Sequence, residues 1–136
     1  MLQHIAHISL VVKDYDEAIE FYTKKLNFII VEDTKLVDEK RWVLIKPTKA
    51  KELCILLAKA ATEEQKSRIG NQTGGRVFLF LYTDDFEKDY QLMKENGIEF
   101  VRTPSKESYG IVAVFKDLYG NLWDLIQPSD NNSLEH

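Results

Sequence analysis

The fold is decided by the stretch His7-Ile-Ser-Leu-Val-Val-Lys-Asp14 and by the residues that follow it. Its β-branched and apolar character over strand length predicts a β-strand that ends at Lys13. Asp14 is placed to cap the first turn of a helix, with Glu17 three residues later. A strand therefore leads directly into an amphipathic helix, whose apolar positions recur at helical spacing: Tyr15, Ala18, Ile19, Tyr22 and Leu26.

Three extended runs follow this helix, over residues 28–31, 41–46 and 52–58. Thr62 and Gln65 then have the spacing of a capping box, which predicts a short linking helix over residues 62–69. Residues 71–75 contain two glycines and break regular structure. The first half of the chain is thus predicted to have the order β-α-β-β-β.

The same order returns after the break. A strand over residues 77–82 leads into Asp84 and Asp85. The helix that follows ends at Asn96 and Gly97. Three more strands are predicted over residues 98–101, 110–116 and 122–127. An offset of about 70 residues pairs Asp14 with Asp84 and Asn27 with Gly97. This duplication predicts an α+β fold in which two β-α-β-β-β modules form paired, curved, mixed sheets around a cleft.

The length of 136 residues is typical of one domain. We predict a single domain over residues 1–128, with module 1 at about 4–60, a linker at about 61–75 and module 2 at about 76–128. Residues 129–136 are predicted to be a disordered tail. Its last residues, Leu134-Glu135-His136, are typical of an expression-tag remnant.

Composition excludes several classes of function. The net charge of −4 offers no basic surface for nucleic acid. No apolar stretch approaches the roughly 20 residues that cross a bilayer, and the N-terminus lacks the pattern of a signal peptide. The one cysteine, Cys54, cannot form an intramolecular disulfide. These features predict a cytoplasmic protein without a nucleic-acid or membrane partner.

Three stretches carry a family resemblance: His7–Asp14 continued to Leu26, Asn96-Gly97-Ile98, and Asp117-Leu-Tyr-Gly-Asn-Leu-Trp-Asp124. In this order they resemble the vicinal-oxygen-chelate superfamily of glyoxalases, bleomycin-resistance proteins and extradiol dioxygenases. The resemblance covers nearly the whole chain. It implies the paired-module fold and a homodimer, but not one activity, because the superfamily contains both metalloenzymes and metal-free binding proteins.

Metalloenzymes of this superfamily bind a divalent ion through residues on the first and last strand of each half. The resemblance places His7 and Asp124 at two of these positions, although Asp124 stands where Glu is usual. Phe78 and Ile55 occupy the other two and cannot donate to a metal. Glu52 is expected to face the opposite side of its strand from Ile55. Two donors fall short of the usual three or four, so the metal site is predicted to be degenerate.

His7 and Asp124 have other possible roles. They could form an acid/base pair, His7 could donate to a ligand, or the pair could simply satisfy each other in the core. Strand alternation predicts further ligand-binding residues beside them. Trp42 and Tyr109 are expected near the cleft mouth, and Arg41, Arg76 and Arg102 are expected to be solvated rim residues. The predicted lining consists of Ser9, Phe78, Phe80, Tyr82 and Leu122.

The leading prediction is a small-molecule-binding protein with a hydrophobic, aromatic-lined cleft for a hydrophobic or aromatic ligand. The alternative is a divalent-metal-dependent lyase of the glyoxalase kind or an extradiol-type dioxygenase. That alternative needs a third metal ligand from Glu52, from a neighbouring chain or from the substrate. A further alternative is that the aromatic side chains fill the space and leave no pocket. No resident cofactor is expected beyond this possible metal ion.

Overall fold

The computed structural model describes residues 1–47 and 53–129. The chain divides into two compact units, Met1–Gln72 and Thr73–His136. Glu52 and the predicted tag remnant lie outside the described residues. Within the described ranges, no helix is long and apolar enough to cross a membrane.

The first unit contains one four-stranded mixed sheet. Its strand order is β1-β4-β3-β2, with β1 parallel to β4 and the other neighbours antiparallel. The predicted β-α-β-β-β order is confirmed, and the linking helix has the predicted capping box. The elements are β1 His7–Val12, α1 Tyr15–Glu20 continued by a π-helical turn over Phe21–Lys25, β2 Ile29–Lys35, β3 Arg41–Lys46, β4 Cys54–Lys59 and α2 Glu63–Lys66.

The second unit repeats this plan. Its strand order is β5-β8-β7-β6, again with one parallel pair, β5 with β8. The predicted α+β class with two β-α-β-β-β modules is therefore confirmed. The elements are β5 Val77–Tyr82, α3 Phe86–Glu95, β6 Phe100–Glu107, β7 Gly110–Lys116 and β8 Leu122–Pro128.

The helix caps correct the predicted alignment of the two halves. Asp14 caps α1 as predicted, but the cap of α3 is Asp85 and not Asp84. Asn27 and Gly97 both have positive φ after the helix, at 58° and 89°, as their pairing predicts. The first half thus has one more residue between cap and stop. The π-helical turn accommodates this extra residue, because it is wider than an α-helical turn.

Each unit has its own core on the helix side of its sheet. In the first unit, Leu10, Val12, Val43, Ile45 and Leu57 are almost completely buried. In the second, aromatic rings form a continuous series of contacts from α3 to β8, and Trp123 is almost completely buried. The series runs through Phe86, Tyr90, Phe100, Phe115 and Trp123.

Arg41 is a structural residue rather than the predicted rim residue. Its guanidinium donates to Asp33 on β2 and to Asp16 on α1, at 2.7 and 2.8 Å, and lies over the ring of Tyr15. The hydrogen bond from Arg41 lowers the pKa of the Asp33 carboxyl. These contacts tie α1 to the strand pair β2–β3.

Gln72 protects the free edge of β1. Within the part of the chain that the structure describes, this edge strand pairs with β4 alone, so some of its backbone groups have no strand partner there. The Gln72 side-chain oxygen accepts from Val11 N at 3.0 Å, and its Nε2 donates to Ser9 O at 3.1 Å. The amide of Gln72 thus forms the two hydrogen bonds that a neighbouring strand would otherwise form with Ser9 and Val11.

Replacing Gln72 by alanine is expected to speed hydrogen exchange of the Val11 amide and to lower the free energy of unfolding by about 1 kcal/mol. Amide exchange followed by NMR and urea unfolding would measure both effects. Gln72→Glu is the matched variant, because a carboxylate can accept from Val11 but cannot donate to Ser9. Unchanged exchange at Val11 in Gln72→Ala would show that the contact does not protect this edge.

Candidate functional site

In the first unit, several predicted site residues share the face of the sheet opposite the Leu10 core. His7 and Ser9 lie on this face and are exposed, and the ring of Trp42 contacts the His7 ring edge-on at 5.9 Å between centroids. Strand pairing adds Cys54 next to His7 and Leu56 next to Ser9. We call this surface the His7 face; its residues are His7, Ser9, Trp42, Leu44, Cys54 and Leu56.

The prediction that Ile55 occupies the ligand position of β4 is wrong. Ile55 is 4% exposed and pairs with Ile8 and Ile45 on the core side of the sheet. Leu56 instead lies on the His7 face, so this position still carries a hydrocarbon side chain. The sulfur of Cys54 is a potential donor that the sequence prediction missed. The register of β1 against β4 decides this, and spacing along the chain does not encode it.

In the second unit, Phe80 and Asp124 are direct cross-strand partners, and Tyr82 pairs with Ile126 two residues further on. Phe80 is 60% exposed and Tyr82 53% exposed, whereas Ile126 is buried. The sequence prediction therefore correctly groups Phe80, Tyr82 and Asp124. We call this surface the Asp124 face; its residues are Val77, Phe80, Tyr82, Arg102, Ser105, Val112, Val114, Lys116, Leu122, Asp124 and Ile126.

Phe78 does not continue the predicted alternation with Phe80. A β-bulge lies between Val77 and Leu79, which pair with the consecutive residues Leu122 and Trp123. The Phe78 ring packs edge-on against the buried ring of Trp123 at 6.1 Å. The assumption of an unbulged strand was wrong at this point, and the observed contact of Phe78 is with the core.

Tyr109 lies in the hairpin between β6 and β7. Its side chain is exposed, and its backbone oxygen accepts from Ser129 N at 2.9 Å. This bond fastens the residue that follows β8 to the hairpin. A ligand contact of Tyr109 stays a prediction.

Arg102 belongs to the Asp124 face and is exposed, as expected of a solvated rim residue, but its alignment with Asp124 was not predicted. Arg102 pairs with Val114, and Val114 pairs with Asp124, so the three residues form a row across β6, β7 and β8. A bulge between Phe100 and Arg102 sets this register, and no sequence motif marks it. A second register shift, between Arg102 and Ser105, contains Pro104, a residue typical of bulges. Burial raises the pKa of the Asp124 carboxyl, and the positive charge of Arg102 partly opposes that shift.

Each face, taken by itself, has few donors for a divalent ion among the described residues, and the degenerate metal site stays a prediction. Within residues 1–47 and 53–129, no three His, Cys, Asp or Glu side chains come together. On the His7 face, the donors His7 and Cys54 are neighbours; on the Asp124 face, the cross-strand partners of Asp124 are Phe80 and Val114. Three protein ligands are the usual minimum for catalysis. His7 and Asp124 belong to different units, and their action as an acid/base pair stays a prediction.

Two sequence comparisons found relatives of this chain. A sequence-family model described as the Glyoxalase/Bleomycin resistance protein/Dioxygenase superfamily matches residues 4–125. An uncharacterized protein of Shewanella frigidimarina (strain NCIMB 400) is 56% identical over 135 residues, covering 98% of this chain and all of the relative.

Two solved structures are also similar. The crystal structure of UcmS2 has a TM-score of 0.81 and 28% identity, covering 93% of this chain and 98% of that one. TnmS3, described as an antibiotic binding protein from Streptomyces sp. CB03234, has a TM-score of 0.76 and 27% identity, covering 94% and 98%. The likeness extends over nearly the full length of each protein.

Proposed function

Because the chain belongs to the Glyoxalase/Bleomycin resistance protein/Dioxygenase superfamily, we propose that it is a small-molecule-binding protein that holds flat, largely apolar ligands. One observation carries this proposal: Phe80 and Tyr82 expose more than half of their side chains on the same face as the half-buried Asp124. The description of TnmS3 as an antibiotic binding protein supports the same class of function.

Physical chemistry favours a ligand at these two rings. Fully burying an aromatic side chain contributes about 1.5–3 kcal/mol, which Phe80 and Tyr82 leave largely unused in the free protein. Their spacing on alternate positions of β5 lets one planar molecule contact both rings. Ile126 and Val112 pair beside them and provide an apolar floor. Asp124 supplies a polar group that can fix the orientation of a ligand.

The His7 face offers a second set of ligand contacts in this proposal. Trp42 provides an aromatic surface, and His7 and Ser9 provide exposed groups that can donate or accept hydrogen bonds. Leu56 and Leu44 pair beneath them. This face also combines apolar area with a few polar groups, as ligand sites usually do.

The proposal also covers the assembly of the protein and its cellular location. We propose a homodimer, because the family resemblance implies one; light scattering on the purified protein would test it. We propose a cytoplasmic location, which is consistent with the single cysteine and its free thiol.

The alternative function is that of a divalent-metal lyase or dioxygenase, and the pairing of His7 with Cys54 is the observation in its favour. Metal analysis of purified protein tests it, with His7→Ala and Asp124→Ala as comparisons. Stoichiometric metal that both substitutions remove would support the enzyme. The binding-protein proposal expects less than about 0.1 equivalent of divalent metal in all three proteins, because the described residues of each face offer no third ligand.

The ligand site is tested by replacing both exposed rings. The double variant Phe80→Ala/Tyr82→Ala is expected to weaken binding of 2-naphthylmethanol by about tenfold, because two aromatic contacts of roughly 0.5–1.5 kcal/mol each are lost. NMR titration of labelled protein gives the Kd and shows which amides shift. The fold should survive, since both side chains are exposed.

Leu118→Ala is the matched control. Leu118 is also an exposed apolar residue, at 40%, but it lies in the turn between β7 and β8 and outside both faces. Its replacement should leave the Kd unchanged. Equal Kd values for the wild type and the double variant, or no binding at all, would contradict the proposed site.

A further inference from the structure

We propose that the Asp124 face selects aromatic ligands that carry a protonated amine, with Asp124 as the residue that binds the ammonium group. This inference rests on the proposed function and names the ligand class of the same face. It starts from the row Phe80, Asp124, Val114 and Arg102, which crosses all four strands of the second sheet.

The side chains on either side of Asp124 cannot donate to its carboxylate. Asp124 is half-buried, and its direct neighbours across the strands are Phe80 and Val114, which have no hydrogen-bond donors. Among the described residues, Asp124 forms no ion pair within 4.0 Å and no side-chain hydrogen bond. A half-buried carboxylate gains most from a donor that also carries positive charge. A ligand ammonium group would supply such a donor.

The neighbouring rings favour the same chemistry. The face of an aromatic ring attracts a cation, by about 0.5–2 kcal/mol according to its exposure to water. Phe80 stands directly beside Asp124, and Tyr82 stands one alternate position along the same strand. An ammonium group near Asp124 can therefore contact both a carboxylate and an aromatic face. A metal ion would find only one protein ligand on this face, whereas an ammonium ion needs no more than one carboxylate.

Arg102 lies at the opposite end of the row from Phe80. Two strand spacings separate its backbone from that of Asp124, which is roughly 10 Å. Burial raises the pKa of Asp124 and the charge of Arg102 partly opposes that shift, so Arg102 acts on the carboxylate although no ion pair joins the two side chains. Lys116 lies on the same face beside Leu122 and is paired with Glu99 at 3.7 Å. Neither cation occupies the position next to Asp124.

The experiment compares three probes with the same ring system: 2-naphthylmethylamine, 2-naphthylmethanol and 2-naphthoate. We expect the wild type to bind the amine about tenfold more tightly than the alcohol at neutral pH, and the carboxylate most weakly. In Asp124→Asn the ratio of amine to alcohol affinity should fall to about one. Arg102→Gln should increase the preference for the amine, because it removes a competing positive charge, and Leu118→Ala should leave all three Kd values unchanged.

A salt titration of the wild type keeps the test independent of any variant's folding. Added NaCl should reduce the amine-to-alcohol ratio, because only the amine binds through charge. Binding of all three probes with equal affinity would overturn this inference and leave the proposed function intact. The same holds if Asp124→Asn keeps the preference. Failure of all three probes to bind would overturn the proposed function as well.

Discussion

Replacing Asp117 by alanine is expected to lower the free energy of unfolding by about 3 kcal/mol. Asp117 is 5% exposed and organises the turn between β7 and β8. One carboxylate oxygen accepts from the backbone N of Tyr119, Gly120 and Asn121 at 3.1, 3.1 and 2.9 Å. The other accepts from the side chains of Asn121 and Trp123 at 3.0 and 3.3 Å. Alanine has neither carboxylate oxygen, so all five donors lose this acceptor, and these donors lie in or beside the core.

Asp117→Asn separates the loss of acceptors from the loss of volume. Asparagine keeps the size of the side chain, but its amide NH2 group cannot accept from the two side-chain donors. We expect it to cost nearly as much as alanine. Asp84→Ala, at an exposed aspartate in front of the α3 cap, should change stability by less than about 0.5 kcal/mol. Urea unfolding measures all three; an Asp117→Ala cost no larger than that of Asp84→Ala would contradict the role of this carboxylate.

The elements of the fold could be predicted because their signals are local. β3, β5 and β7 begin and end at the predicted residues, since apolar runs and turn residues mark them clearly. β2 and β6 are longer than predicted, extending to Lys35 and Glu107. Their outer parts are polar and exposed, so hydrogen bonding to a neighbouring strand, and not an apolar pattern, makes them strands.

The site was predicted less completely because it depends on register. Phe80, Tyr82 and Asp124 were grouped correctly, since regular alternation holds through that part of β5 and β8. Ile55 and Phe78 were placed wrongly, and the alignment of Arg102 with Asp124 was not predicted. In each case a pairing between distant segments or a bulge decides which face a side chain occupies. A shift of one residue reverses the face, and the sequence contains no local mark for such a shift.

Gly110→Ala is expected to destabilise the second unit by about 3 kcal/mol or more. Gly110 begins β7 with φ at +146°, which L side chains rarely adopt. An added Cβ would lie 2.2 Å from the backbone oxygen of Gln127 and 2.9 Å from Cα of Pro128. Both atoms belong to the backbone of β8, so no side-chain rotation can relieve the clash. The strands β7 and β8 would have to separate at this end.

Gly74→Ala is the matched control for this prediction. Gly74 also has positive φ, at +67°, but an added Cβ there would meet nothing within 4 Å. Its replacement should therefore cost only the backbone strain, about 1 kcal/mol. Urea unfolding compares the two variants, and similar costs would mean that β8 adjusts easily at Gln127. Because β8 also carries Asp124, separation of the strands in Gly110→Ala should weaken binding of 2-naphthylmethylamine, whereas Gly74→Ala should bind it as the wild type does.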